Sequence, residues 1–327
     1  MRSEDDQSAD PELVNADTVG LSAERARARH GAARASRRRR AIRRRWGLGL
    51  LVLAVAIAGS GVLGGPTSTR HAVSQSSRTP SSAGARAARQ RALARGRSGK
   101  GDAAAIDRVL AYTPYVAVGS ARRREVALSF DDGPSIYTRP LLAVLLRERV
   151  LATFFEVGIH VSQFSALTRM EVRNGFAIGD HTEDHPFMAA LSAPRQRAEL
   201  LDQAAALRSA GAPFPRLFRP PSGSFDATTL TLLGQLRLLM VLWTVDTEDY
   251  ARPGVARIVY TALSGARPGA IILMHDGGGD RSQTVAALPR IIRGLRRRGY
   301  RLVTVPQLMA DDPPAREQPP PRPLSGA

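Results

Sequence analysis

The chain has 327 residues, 43% hydrophobic and 23% charged, which is enough for a sizeable core in one large domain with additions or in two ordinary domains. It contains no cysteine, which excludes a disulfide framework and any thiolate metal site. The net charge of +18 suggests nucleic acid, but much of the arginine lies before residue 125. Aromatics make up only 5%, so the basic–aromatic interleaving of a nucleic-acid binder is missing.

Residues 1–45 are polar, acidic at first and then arginine-rich, and read as a disordered, basic cytoplasmic segment. Residues 46–65, WGLGLLVLAVAIAGSGVLGG, carry no charge and are long enough to cross a bilayer core, which takes about 20 apolar residues. The arginine cluster before this run puts the N-terminus inside. A transmembrane signal anchor is the first reading of the run. A signal peptide cleaved near AIAGS is the second and a buried core helix the third. The first two place the remainder outside the cytoplasmic membrane, either anchored in it or secreted. Residues 66–120, rich in Ser, Ala, Arg, Gly and Pro, predict a disordered linker. The proline-rich residues 311–327 predict an unstructured tail.

Between them, residues 121–310 alternate short apolar runs with amphipathic stretches. The runs are EVALSF, LATFFEV, FAIGD, PRLFRP, LLMVLWTV, GAIILMH and YRLVTV. Such alternation predicts an α/β domain of about seven parallel strands with helical crossovers. A (β/α) barrel is the natural closure, and an open doubly wound sheet is the alternative.

Five of these runs lead into polar clusters, and in parallel α/β folds reactive groups collect beyond the carboxyl ends of strands. Neighbouring strand residues face opposite sides, yet at a strand end Asp131 and Asp132 can both reach one site. The ordinary alternative for Asp-Asp-Gly-Pro is a plain turn. His181 and His185 are four apart, which on a helical turn puts both imidazoles on one face, although a surface helix shows this spacing by accident. With a carboxylate from another strand end, the pair makes an Asp-plus-two-His set. Such a set suits zinc and leaves a coordination position open.

SFDDGP (129–134), HTEDHP (181–186), RPPSG (219–223), DTEDY (246–250) and ILMH (272–275) follow one another along the chain. In that order they resemble the five motifs of the NodB-like polysaccharide deacetylases, carbohydrate esterase family 4. The resemblance covers residues 122–310. It is specific in the first, second and fifth motifs and partial in the third and fourth. It implies a distorted (β/α) barrel that removes N- or O-acetyl groups from chitin-like sugars, peptidoglycan or xylan with one divalent metal ion. Zinc is the first expectation for that ion, with cobalt or nickel as alternatives. Carried over, Asp132, His181 and His185 hold the metal and Asp131 is the general base. His275 is the acid that protonates the leaving amine, and Asp249, in preference to Asp246, sets its acidity. Arg219 pairs with Asp131 and keeps it ionised. The turn Pro221, Ser222 and Gly223 lines the oxyanion site, with a backbone N–H near Ser222 as donor.

Three positions depart from the family pattern. Ser222 stands where an aromatic is usual, which removes a wall of the groove. Asp180 stands for a frequent Asn, either orienting a ligand or capping a following helix. Tyr250 replaces Trp. Among other residues, His160 reads as packed or solvated, Trp243, Phe154 and Phe155 as core, and Glu156 as a strand-end acid without an assigned role; His30 and His71 lie in segments read as disordered. The expected function is N-deacetylation, with O-deacetylation as a variant, of a cell-envelope polysaccharide, peptidoglycan first. A glycan-binding protein without catalysis is the alternative. The partners are then the acetylated wall glycan and, through the N-terminal run, the membrane. No nucleic acid is expected, and the oligomeric state is left open.

Overall fold

The computed structural model describes residues 101–319. The apolar run 46–65, the segment before it, residues 66–100 and residues 320–327 lie outside the described residues. Among the described residues no helix is long and apolar enough to cross a membrane.

Nine parallel strands form one curled sheet. They are β1 (Tyr115–Val116), β2 (Glu125–Gly133), β3 (Thr153–Glu156), β4 (Ala177–Asp180), β5 (Leu217–Phe218), β6 (Leu239–Val241), β7 (Val245–Asp246), β8 (Ala270–His275) and β9 (Arg301–Val303). The helices are α1 (101–110), α2 (Thr138–Glu148), α3 (Gly158–Gln163), α4 (Ser165–Asn174), α5 (Ala193–Ser209), α6 (Ala227–Leu236), α7 (Val255–Ser264), α8 (Ser282–Arg297) and α9 (Val305–Asp311). The spatial order is β1-β6-β5-β4-β3-β2-β8-β7, with β9 also on β2. No ladder joins β1 to β7, so the sheet is a half-barrel. Bonds outside the ladders bridge its two ends, from the Gly119 N–H to the Gly269 carbonyl (2.8 Å) and from the Thr244 hydroxyl to the Ala117 carbonyl (2.8 Å).

Alternation along β2 sorts its side chains. Val126, Leu128 and Phe130 pack outward with α2, α7 and α8, while Ala127 joins an interior cluster. Ser129 and Asp131 follow on the interior side, with Ser129 Oγ bonded to Arg219 there. The interior cluster is closed from the strands' amino ends by Ala105, Ile106 and Val109 of α1 and by Val305, Leu308 and Met309 of α9. The open, carboxyl end is the end that carries the polar clusters.

Three expectations are corrected here. Nine strands replace about seven, because LLMVLWTV breaks into β6 and β7. The Val241 and Leu242 carbonyls accept from the Arg219 guanidinium (3.0 and 3.3 Å) instead of continuing a ladder, and β1 adds a strand too short to show periodicity. The linker ends before residue 101, because α1 and β1 are built into the domain. The tail is ordered to residue 319. Gln318 Oε1 accepts the Ala117 and Val118 N–H groups (3.0 and 3.2 Å), and the Tyr112 hydroxyl donates to the Pro314 carbonyl (2.9 Å).

Candidate active site

The two carboxylates at the end of β2 reach one site because the strand is bulged. Asp131 pairs with Phe155 and Gly133 with Glu156, leaving Asp132 unpaired at φ 71°. A bulge re-aims a side chain that would otherwise face away. The backbone of the Gly277–Gly278 turn lies against this residue. A Cβ at Gly277 would overlap the Asp132 carbonyl oxygen, and one at Gly278 would overlap its carboxylate. His160 Nδ1 donates to the same carbonyl (2.8 Å), a contact that its reading as packed or solvated did not anticipate.

His181 and His185 do not lie on a helix. Residues 181–187 are irregular, with Thr182 at φ 69° and His185 at φ 63°, and these left-handed residues bring the rings to 5.0 Å between centroids. Asp180 caps no helix. Its Oδ1 accepts the Thr182 N–H (2.7 Å) and turns the chain into the histidine segment, while burial pushes its pKa well up. His181 Nδ1 lies 2.6 Å from the Arg219 carbonyl and therefore donates to it. The lone pair of a neutral His181 then sits on Nε2, 3.5 Å from Asp132 Oδ1, with His185 Nε2 at 3.1 Å from the same oxygen.

That oxygen is buried and has no hydrogen-bond donor of its own, and the three ligand atoms lie within 4.8 Å of one another. Three lone-pair donors converging on one point, one of them an unsatisfied buried carboxylate oxygen, fit a divalent cation. Burial opposes charge on both Asp132 and His185. The contacts of Asp132 with His181 and then His185 outweigh it, lowering the Asp132 pKa far below the carboxylate range, and the Asp132 contact raises that of His185.

Asp131 and His275 are direct register partners across β2 and β8, next to this cluster in which Asp132 follows Asp131. Asp131 Oδ1 accepts from Arg219 Nη1 at 2.7 Å, and its Oδ2 lies 3.8 Å from His181 Nε2. Arg219 is fully buried. It is held also by Ser129 Oγ (2.9 Å) and the two carbonyls of the strand break, with the Phe155 ring 4.1 Å from its guanidinium carbon. Asp249 is the carboxylate on His275, with Oδ1 at 2.7 Å from Nδ1 and Oδ2 accepting the His275 backbone N–H (2.9 Å) and the Thr284 hydroxyl (2.6 Å). Asp246 instead accepts the Glu248 N–H. Burial works against the His275 charge, but the Asp249 carboxylate overcomes it and pushes the pKa up to about 9; Asp249 is lowered in turn. Tyr250, half exposed, sets its ring edge on His275 at 5.4 Å.

Pro221, Ser222 and Gly223 form a tight turn directly after Arg219 and Pro220, closed by the Gly223 and Ser224 N–H groups. Ser222 is exposed at φ 52°, and its N–H makes neither of those bonds.

Sequence reasoning missed Ser129, Thr284, Asp276 and the glycines. Asp276 is buried against the Thr138 hydroxyl, and burial raises its pKa to about 8. The Gly277–Gly279 run after His275 was the one visible signal for the close approach. Glu156 is fully buried, accepting from Thr168 (3.0 Å), and Phe154 and Phe155 are core as read. Trp243 is half-buried beside Arg219.

Known proteins share this arrangement of chain. The sequence profile described as polysaccharide deacetylase matches residues 119–241. A chitooligosaccharide deacetylase of Bradyrhizobium sp. (strain ANU 289) is 40% identical over 198 residues, 57% of this chain and 90% of the relative. The crystal structure of the Bc1960 peptidoglycan N-acetylglucosamine deacetylase superposes with a TM-score of 0.58 at 32% identity, covering 63% of this chain and 95% of that one. The structure of BA3943, a CE4 family pseudoenzyme from Bacillus anthracis, gives 0.57 at 29% identity, covering 60% and 69%. Fold, motif order and nearly end-to-end similarity to a deacetylase agree, and the chain belongs to the polysaccharide deacetylase family.

Proposed function

We propose that this chain is a metal-dependent hydrolase that removes N-acetyl groups from a cell-envelope polysaccharide, peptidoglycan first, with O-acetyl groups as a variant. The observation that carries this reading is that Asp131 and His275, register partners on β2 and β8, stand beside the Asp132–His181–His185 cluster. These three residues would hold the ion. The donor set suits zinc first, with cobalt or nickel as alternatives. Such an ion supplies Lewis acidity toward the amide carbonyl and toward a water.

The chain's own groups do the rest. Asp131 takes a proton from the water as its oxygen attacks the acetyl carbon. Arg219, buried against the other side of that carboxylate, fixes its orientation. Asp249 accepts from His275 Nδ1, which leaves Nε2 as the proton-bearing end facing the substrate. As the carbon–nitrogen bond breaks, His275 gives that proton to the amine, and acetate is the other product. The Ser222 N–H stands as donor to the developing oxyanion. On sequence grounds we place the domain outside the cytoplasmic membrane, anchored through residues 46–65 or released after cleavage.

The similarity to a pseudoenzyme supports one alternative, a glycan-binding protein without turnover. Both proton-transfer groups are present here, which favours catalysis. Acetate release from N-acetylglucosamine oligomers and peptidoglycan separates the two. Asp131→Asn is expected to lower turnover by about 10²–10⁴-fold with the bound metal retained. Unchanged turnover would remove Asp131 as base, and no release by the unmodified chain on any acetylated glycan would leave the binding reading.

A further inference from the structure

We infer that the cavity beside the Asp132 turn is a subsite for a carboxylate carried on the glycan next to the reacting acetamide; the inference rests on the deacetylase reading and deepens it. The cavity has a volume of about 480 Å³. One wall is the turn after β2, with Ser135, Ile136 and Arg139. The other is the junction of α3 and α4, with Gln163, Phe164 and Leu167. Both walls are tied to the site. Ser135 Oγ donates to the carbonyl of Asp276, the residue after His275. His160, three residues before Gln163 on α3, holds the Asp132 carbonyl.

The floor is apolar, and Ile136 is 70% exposed there, a surface that the C–H face of a sugar ring would cover. Arg139 and Gln163 make no ion pair or side-chain hydrogen bond among the described residues. Other arginines nearby are engaged. Arg252 pairs with Asp280 (3.2 Å), Arg281 donates to the Gly277 and Tyr250 carbonyls, and Arg169 donates to Ser165 (3.1 Å). A substrate carboxylate is attracted at Arg139, whose planar fork matches it. The group therefore selects an acidic amino-sugar oligomer and sets which of its sugars lies over Asp132.

The test compares two tetrasaccharides, one of N-acetylglucosamine alone and one in which alternate sugars carry a lactyl ether carboxylate. Binding is measured by calorimetry on the chelator-treated full chain, and acetate release on the zinc-loaded full chain. The expected result is about tenfold tighter binding of the acidic oligomer, as a charge-assisted pair provides. Arg139→Gln should abolish that preference and raise KM for the acidic oligomer alone, with kcat and the neutral oligomer unchanged, while Arg139→Lys keeps part of it. If Arg139→Gln leaves the preference intact, or weakens both oligomers equally, the subsite is wrong. Acetate release from neither oligomer, with the Arg139-dependent binding difference still present, would overturn the deacetylase reading and keep the subsite.

Discussion

His275 keeps its proton at neutral pH because Asp249 and Thr284 fix a carboxylate against its Nδ1. With the pKa raised to about 9, the acid is fully armed at neutral pH and is lost as the pH rises past that value. Turnover should therefore show an alkaline limb as this proton is lost, and Asp249→Asn should move it downward, since burial alone depresses an imidazole. A limb that stays in place in Asp249→Asn would contradict the pairing. The same shifts act on stability in the metal-free chain. The folded His275 value of about 9 exceeds its ordinary 6.5, so its contribution is full below 6.5 and is lost as the pH rises through 9. Asp276, at about 8 against an ordinary 3.8, also binds its proton more tightly when folded, so its contribution declines from about pH 4 and is lost above 8. Both signs agree. The thermal midpoint should fall between pH 7 and 9.5, and a rise over that interval would contradict the Asp249 contact of His275 and the burial of Asp276. At this scale the sequence was informative: the Asp-Asp pair, the two histidines, Arg219, Asp249 and His275 all stand within short motifs, and the structure brings them to one place. Ser129 and Thr284 were not legible, because a hydroxyl that positions a neighbour looks like any other in a strand or helix.

Between residue and fold, the bulge in β2 and the left-handed residues at 182 and 185 are what make the cluster. Neither has a composition signature. Asp132 at φ 71° is not a glycine, and a spacing of four residues reads as helix unless the backbone is seen. The glycines opposite are legible only as a run, and their purpose appears when Asp132 is found against them. Gly277→Ala should displace that turn and lower metal affinity by about 10–100-fold, as losses of supporting contacts around a metal do, with the far-UV circular dichroism preserved. Isothermal titration with zinc checks this, and unaltered affinity would mean that the glycine is not needed for the approach. The seven apolar runs did foretell the parallel sheet. What they could not show is that buried Arg219 would take two carbonyls from one run and divide it into β6 and β7.

Over the whole molecule, the domain begins earlier than its composition suggests. Helix α1 follows a stretch rich in arginine, glycine and serine, and its apolar face is short. Even so, Ile106 and Val109 close the interior of the half-barrel against α9. Ile106→Ala should cost about 2–5 kcal/mol in denaturant unfolding, whereas a residue of a solvated linker would cost nothing measurable. The arrangement has a common logic: apolar side chains from α1 and α9 seal the amino ends of the strands, and the carboxyl ends are left for polar chemistry. The proposed reaction requires a single cation at Asp132, His181 and His185. The direct test strips the full chain of metal, reloads it with zinc and measures both bound ion and acetate released from N-acetylglucosamine oligomers. One ion per chain is expected, with release that returns with it and loss of both in a His181→Ala, His185→Ala double variant. Equal release from the stripped chain or from that variant would contradict that requirement.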